Sequence, residues 1–136
     1  MLTNEDLLLR QACADLVARY AWLNDERRYH ELAELFLDDA VLYRPSAPDH
    51  AITGRTAILE AFCKRPATTV TFHVTSDVLV ERQDGDTVHV RSRMLMFSRV
   101  EGEDGARAPV TGTFDDILKL TQGGWKIAQR RGALAI

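Results

Sequence analysis

The chain has 136 residues, of which 46% are hydrophobic and 27% are charged, and its formal net charge at pH 7 is −3. This composition is typical of one globular domain spanning residues 1–136, with enough apolar side chains for a core and a pocket. The negative net charge argues against a nucleic-acid partner, because neutralising phosphates takes a clustered excess of Lys and Arg.

The N-terminal residues predict neither a secretion signal nor a membrane anchor. They read MLTNEDLLLRQ, with acidic side chains ahead of a short apolar run, whereas a signal peptide has basic residues there. No window approaches the roughly 18 apolar residues of a membrane span. We therefore expect a cytoplasmic protein with no membrane partner.

The first predicted element is a long amphipathic helix. Thr3 and Asp6 have the spacing of a capping box, which satisfies free N–H groups at a helix start. The segment NDERRYH at 24–30 follows this helix, and its Asp25 could either cap the next helix or have a chemical role. The helix itself is indicated by apolar residues at helical spacing, namely Leu9, Ala12, Cys13, Leu16, Val17, Tyr20 and Leu23.

Two shorter helices and a short strand are predicted next. Residues from Tyr29 to Phe36 form a helical pattern that ends at the acidic pair 38–39, and AVLYR at 40–44 is predicted as a strand. A Pro-containing loop leads to a third helix, which begins near Gly54 and ends before Pro66.

The second half of the chain is predicted to be an antiparallel meander. Four β-rich runs, at 69–82, 87–100, 108–121 and 125–134, are separated by the turn sequences QDGD, EGEDGAR and QGG. Helices followed by a meander predict an α+β fold, with the helices packed on one face of a curved sheet.

Alternation along the first long strand separates its apolar residues from its histidine. Val70, Phe72 and Val74 fall on one face, and His73 falls on the other face with three threonines. His73 is therefore either an exposed histidine or a polar residue that faces a pocket. A bulge in the strand would change which face of the sheet each following residue is on.

The order of several motifs resembles a known family over nearly the whole chain. They are the first helix with its ND pair, then LAELFLDDAVLY, ITGRTAI, TFHVTSDVLVE, GTFDD and GWKIAQRR. This order is similar to the SnoaL-like branch of the nuclear transport factor 2-like cone fold. The resemblance implies a cone-shaped α+β barrel with N-terminal helices packed on a curved, mostly antiparallel sheet around a ligand pocket. It also implies a homodimer formed through the open sheet face, but it does not fix a reaction.

The resemblance also implies site residues. Scytalone dehydratase, the bile-acid dehydratase and the hexachlorocyclohexane dehydrochlorinase use an aspartate at the end of the first helix and a histidine on the first long strand. Asp25 and His73 match this dyad, and Tyr20 and Tyr43 match pocket tyrosines of the dehydratases. The dehydrochlorinase has a lysine at the position of Tyr20, which argues against halide elimination. Scytalone dehydratase has a second histidine where this chain has Ser98.

Four further residues are predicted to contact a substrate, although each could equally belong to an ordinary core. They are Trp22, Met96, Phe114 and Ser98. Alternation also groups Asp116 of the GxFxD motif with apolar residues, and a buried acid needs a partner. We expect that partner to be Arg130 or Arg131 on the last strand.

These residue types suit proton abstraction next to a carbonyl. Histidine can act as a base near neutral pH, and a carboxylate on its other ring nitrogen fixes the tautomer. A tyrosine hydroxyl can donate to the developing enolate oxygen. We expect a cofactor-independent lyase of the dehydratase type, or an isomerase. Its substrate would be a hydrophobic oxygenated small molecule such as a polyketide, steroid or aromatic intermediate.

Two other functions stay open. The segments DERRYHELAELFLDDAVLYRPS and KIAQRRGAL also resemble the small subunit of ring-hydroxylating dioxygenases, which is structural and has a longer chain. The remaining possibility is a ligand-binding or polyketide-cyclising protein in which Asp25 acts without His73.

The sequence predicts neither a cofactor nor a metal site. His30, His50 and His89 form no i,i+4 pair, and the chain has no phosphate-binding glycine loop or dinucleotide fingerprint. Cys13 and Cys63 lack the spacing of a metal or redox motif, so both are predicted to be small core residues.

Overall fold

The computed structural model describes residues 1–136 and contains three helices and six strands. The helices are α1 (Asn4–Asp25), α2 (Tyr29–Ala33) and α3 (Arg55–Cys63). The strands are β1 (Phe36–Tyr43), β2 (Ala51–Thr53), β3 (Thr69–Asp84), β4 (Thr87–Val100), β5 (Val110–Thr121) and β6 (Gly124–Leu134).

All strands belong to one sheet, in the order β2-β1-β6-β5-β4-β3. Neighbouring strands are antiparallel except β1 and β6, which are parallel. Register shifts interrupt the β3–β4 and β5–β6 ladders, and such bulges bend and twist a sheet. The predicted α+β cone, with helices on one face of a curved and mostly antiparallel sheet, is confirmed.

The helix α1 begins as its sequence predicts. The Thr3 N–H donates to Asp6 Oδ2 at 2.8 Å, and the Asp6 N–H donates to Thr3 Oγ1 at 3.1 Å, which completes the capping box. One side of α1 then buries Cys13, Leu16 and Val17. No helix of the chain is both long and apolar enough to cross a membrane, and the cytoplasmic location stays a prediction.

Two predictions about element boundaries and one about burial are wrong. The second helix ends at Ala33, and β1 already begins at Phe36. Pairing with β6 makes this segment extended, and the Phe36 carbonyl accepts hydrogen bonds from the Arg55 guanidinium at 3.0 and 2.6 Å. Cys63, the last residue of α3, is exposed, whereas Cys13 is buried as predicted.

The two faces of the sheet differ in what covers them. Residues that pair directly across antiparallel strands share a face. His73 and Met96 pair on the inner face, which the helices cover, whereas Phe72 and Phe97 pair on the outer face. Those two phenylalanines are 63% and 40% exposed, so the outer face of β3 and β4 has no cover within this chain.

Candidate active site

A cavity of about 320 Å³ lies between the helices and the inner face of the sheet. This volume is at the lower end of the range for small-molecule sites. Most of the lining is apolar, and the polar side chains lie at a few positions around it. The lining residues are Tyr20, Asn24, Leu42, Arg44, Pro45, Ser46, Phe62, Arg65, His73, Met94, Met96, Val110, Phe114 and Leu134.

The charged junction after α1 fixes the end of this helix against the sheet. Asp25 is the last residue of α1 and does not cap α2, whose N-cap residue is Arg28 and has no side-chain capping bond. The capping interpretation of Asp25 is therefore wrong. Arg27 adopts a positive φ of 58° and donates to the carbonyls of Arg65 and Pro66 at 3.0 and 3.2 Å. These bonds tie the end of α1 to the segment that leads into β3.

The Asp25 carboxylate is held against β3 by three hydrogen-bonding groups. Its Oδ1 lies 2.6 Å from His73 Nδ1 and accepts from Thr71 Oγ1 at 2.9 Å. Its Oδ2 accepts from the His73 backbone N–H at 2.7 Å. Because His73 turns Nδ1 towards this carboxylate, Nε2 is its free ring nitrogen, and the His73 side chain lines the cavity.

Burial and hydrogen bonding shift the pKa of the Asp25 carboxyl in opposite directions. Burial raises the pKa of its carboxyl, but the hydrogen bonds from the His73 ring, the His73 backbone and Thr71 outweigh this effect and lower the pKa below 3.8. Asp25 is therefore an anion at neutral pH. An anion at Nδ1 favours the tautomer with the proton on Nδ1 and stabilises a positive charge on the ring.

A buried ion pair lies beside the cavity. Arg130 Nε donates to Asp116 Oδ1 at 3.1 Å, with the two side chains 1% and 0% exposed, so the prediction of an arginine partner for Asp116 is confirmed. The guanidinium carbon lies 3.7 Å from the Phe114 ring centroid and 4.0 Å from that of Tyr20. Burial raises the pKa of both Asp116 and Tyr20, although Arg130 opposes the shift in each case. The Tyr20 hydroxyl therefore keeps its proton and can donate it in a hydrogen bond.

Most of the predicted site residues lie at the cavity, with Asp25 directly behind His73. Those that line it are Tyr20, His73, Met96 and Phe114. Tyr43 does not, because alternation along β1 turns it away from Leu42, which does line the cavity. Tyr43 packs on the outer face, where the Arg131 guanidinium carbon is 3.8 Å from its ring centroid. The prediction of Tyr43 as a pocket residue is wrong.

Two predicted substrate contacts also lie away from the cavity. Trp22 follows Tyr20 by two residues, about 200° around the helix, and its side chain is 68% exposed. Ser98 pairs with Thr71 and shares the inner face with His73, but it lies nearer the end of β4 and does not line the cavity. Neither Trp22 nor Ser98 lines this cavity, and their contact with a substrate stays a prediction.

Four polar lining residues were not predicted from the sequence, namely Asn24, Arg44, Ser46 and Arg65. Asn24 Oδ1 accepts a hydrogen bond from Arg65 Nη1. Arg44 ends a predicted strand and Arg65 ends a predicted helix, each directly before a proline. A charged side chain at such an end is usually solvated, so the sequence carried no clear signal for either. The structure shows no cluster of three or more His, Cys, Asp or Glu side chains that could hold a metal ion.

Comparison with known proteins gives one family and several similar structures. The model of the SnoaL-like domain family matches residues 5–131. No curated protein matches the sequence. A proposed scytalone dehydratase from Novosphingobium aromaticivorans is 23% identical, with 99% of this chain and 89% of that chain covered and a TM-score of 0.88.

Two further solved structures share the fold. A type 2 hexachlorocyclohexane dehydrochlorinase, LinA, is 18% identical, with 96% of this chain and 87% of that chain covered and a TM-score of 0.82. The beta subunit of a proposed aromatic-ring-hydroxylating dioxygenase from N. aromaticivorans is 17% identical, with 96% of this chain and 91% of that chain covered and a TM-score of 0.81. At these identities the likeness describes the fold, and the relatives have different activities.

Proposed function

This chain belongs to the SnoaL-like domain family, and from that premise we propose that it is a cofactor-independent lyase of the dehydratase type, or an isomerase. Its substrate is a hydrophobic oxygenated small molecule, such as a polyketide, steroid or aromatic intermediate. His73 is the base, Asp25 positions it, and Tyr20 stabilises charge on the substrate oxygen.

The contact between Asp25 and His73 is the observation that carries this proposal. The carboxylate lies 2.6 Å from Nδ1, so the opposite nitrogen, Nε2, is available to a molecule in the cavity. Asp25 also accepts bonds from the His73 backbone and from Thr71, and these bonds hold the carboxylate in one orientation. A histidine that is fixed and charge-paired in this way suits general base catalysis, because only its free nitrogen can accept a proton.

The dehydration step uses one histidine twice. His73 Nε2 takes the proton from the α-carbon of a β-hydroxy carbonyl substrate, and the C–H electron pair forms an enolate. The enolate then forms the C=C bond as the β C–O bond breaks, and the leaving hydroxide takes the proton from the imidazolium and departs as water. Because one base on one face of the substrate both takes the α-proton and protonates the leaving hydroxide, the elimination is syn. In an isomerase the same proton returns to a different carbon instead.

Tyr20 supplies the hydrogen bond for the enolate oxygen. It lines the cavity from α1, and burial keeps its hydroxyl protonated because it raises the pKa. The Arg130 guanidinium, 4.0 Å from the ring centroid, fixes the orientation of the ring. A donor that is already oriented stabilises charge as it develops.

Two of the similar structures support this type of reaction by analogy. The proposed scytalone dehydratase and the dehydrochlorinase are named for eliminations, and both share the fold over nearly the whole chain. The structural alternative retains support as well, because a dioxygenase beta subunit also shares this fold. The pairing of Asp25 with a cavity-lining His73 favours a reaction that uses both residues over a structural subunit or a cyclase that uses Asp25 alone.

The direct test is a dehydration assay on a panel of β-hydroxy ketones and thioesters, followed by the absorbance of the conjugated product. We expect His73→Ala to lower kcat by about 10²–10⁴, as for loss of a positioned general base. His89→Ala is the matched control, since His89 lies on β4 away from the cavity and contacts Arg82 at 3.1 Å. Equal loss in both variants, or none in His73→Ala, would contradict the role of His73.

We also propose that the protein forms a homodimer through the outer face of β3 and β4. Apolar side chains are exposed there, including Val70, Phe72, Val74 and Phe97. Charges of both signs lie on the same face, with Arg93 pairing with Asp77 at 3.5 Å. A second copy related by a two-fold axis fits this surface, because an isologous interface has to be complementary to itself.

A further inference from the structure

The charge of the cavity differs in sign from the charge of the chain. The chain has a formal net charge of −3, yet the charged side chains that line the cavity are Arg44 and Arg65, with no aspartate or glutamate among the lining residues. Asp25 lies behind His73 and does not reach the lining. A small and mostly apolar cavity therefore has two cationic side chains in its wall.

Neither arginine is neutralised by the protein. Arg44 makes no side-chain hydrogen bond or ion pair, and its Nε is buried without a partner. Arg65 donates from Nη1 to Asn24 Oδ1, which is a neutral amide oxygen, and it has no ion pair. Arg55 at the start of α3, by contrast, pairs with Asp38 at 2.8 Å.

The two arginines lie where the cavity meets the surface. Both also line an outer groove of about 550 Å³, together with His50 and Lys64. Glu60 is the one acidic residue of this groove, and it forms no ion pair with either arginine. A group held by Arg44 and Arg65 would therefore lie on the side of the cavity that adjoins this groove.

We propose that the substrate carries a carboxylate, held by Arg44 and Arg65, in addition to the carbonyl group on which His73 acts. A buried guanidinium nitrogen without a partner is costly, and a carboxylate matches the planar fork of an arginine with two parallel hydrogen bonds. The apolar body of the substrate lies against Met94, Met96 and Phe114. The position of the reacting carbonyl rests on the proposed function, whereas the binding of the carboxylate does not.

Matched ligands separate the carboxylate from the apolar body. We would measure binding of 2-naphthylacetate and of its uncharged methyl ester by isothermal titration calorimetry. The acid should bind at least about tenfold more tightly than the ester, and its affinity should fall as salt is raised. Equal affinities, tighter binding of the ester, or no binding of either ligand at millimolar concentration would overturn the proposal.

Variants locate the binding site. Arg44→Gln and Arg65→Gln should each lower the affinity for the acid by about tenfold or more, while the affinity for the ester should stay nearly unchanged. Arg65→Lys retains a charge near Asn24 but loses the fork, and it should give an intermediate loss. Arg10→Gln, at an exposed arginine of α1 without an ion pair, is the control and should bind both ligands like wild type. Loss of acid binding in Arg10→Gln, or wild-type binding in both Arg44→Gln and Arg65→Gln, would place the anion elsewhere.

The outcomes also separate this inference from the proposed function. Arginine-dependent binding of acids without any catalysis would support the carboxylate site and contradict the lyase. Catalysis on neutral ketones that is unaffected by Arg44→Gln and Arg65→Gln would support the lyase and contradict the carboxylate site. Tight binding of a coenzyme A thioester, with no preference for free acids, would show that the arginines hold a carrier's phosphate and would overturn the substrate carboxylate.

Discussion

Asp25 has more hydrogen-bonding partners than a helix cap requires. A cap needs one oxygen to accept from a backbone N–H at the start of the next helix. Here both oxygens accept bonds from β3, and none goes to α2. The last side chain of α1 thus joins the helix to the strand that carries His73. The position of the histidine ring depends on this one carboxylate.

This role predicts a pH-dependent contribution to stability. The pKa of Asp25 is lowered in the folded protein, so its hydrogen bonds stabilise the fold above the unfolded pKa of about 3.8. That stabilisation is lost as the pH falls through the lower folded pKa. In urea unfolding at pH 6, the free energy of unfolding of wild type should exceed that of Asp25→Asn. This difference should become smaller below about pH 4.

The control for this measurement is Asp49→Asn, because Asp49 is exposed and has no hydrogen-bond or ion-pair partner. The difference between wild type and this variant should be small and should not depend on pH. A difference for Asp25→Asn that grows as the pH falls would contradict the account.

The two tyrosines predicted from the resemblance should now behave differently. Tyr20→Phe removes the donor that faces the cavity and should lower kcat by at least about tenfold. The loss should stay below the ~10²–10³ of a dedicated oxyanion donor, because water can partly replace the hydroxyl. Tyr43→Phe should leave kcat unchanged, since Tyr43 stacks with Arg131 on the outer face. Equal losses in the two variants would show that the cavity assignment of Tyr20 is wrong.

At the scale of elements, the loop after β1 is held in place by close packing on β6. Gly132 lies under Pro45, and a Cβ at position 132 would lie 2.6 Å from Pro45 Cγ and Cδ and 2.8 Å from its backbone nitrogen. Only glycine allows the loop to approach so closely. Because Arg44 and Ser46 flank this proline, the same contact positions one wall of the cavity.

Gly132→Ala should therefore destabilise the protein by roughly 1–3 kcal/mol, as expected for overpacking, and should weaken ligand binding. Gly123→Ala is a suitable control, because a Cβ there meets nothing closer than 3.8 Å. Urea unfolding of the two variants measures the difference. Similar free energies of unfolding for both would mean that the loop adjusts without cost and does not depend on Gly132.

The strands also show what could be predicted from the sequence and what could not. Alternation predicted that His73 and Phe72 lie on opposite faces of β3, and the structure has them so. It could not predict which face lies inside, because an apolar face is usually the buried one. Here the face with the threonines and His73 turns towards α1, because Asp25 at the end of α1 is the hydrogen-bond partner of Thr71 and His73. The apolar face lies outside, which a single chain's sequence cannot explain.

The same limit accounts for the errors in the site. Asp25 and His73 could be named because the order of motifs resembles the SnoaL-like family, whose dyad lies at the end of the first helix and on the first long strand. Tyr43 and Arg44 are adjacent at the end of β1, and only the pairing of β1 with β6 determines which of them faces the cavity. That pairing joins parts of the chain far apart in sequence, and local patterns do not contain it.

At the scale of the whole molecule, the exposed outer face predicts association. We expect light scattering at micromolar concentration to give twice the 15.3 kDa mass of the chain. Phe72→Lys should shift the protein to monomers, because it places a charge in the centre of the apolar surface. Leu8→Lys, at a leucine of α1 that is 71% exposed, should leave the dimer intact. A monomer mass for wild type would contradict the dimer.

Deuterium exchange at the α-carbon of a bound ketone tests the central claim most directly, because it detects proton abstraction even where no elimination follows. In D₂O, followed by proton NMR, wild type and His89→Ala should exchange this proton at equal rates. His73→Ala should be slower by about 10²–10⁴, with its fold intact by circular dichroism. Equal exchange rates in wild type and His73→Ala would show that the histidine beside Asp25 is not the base.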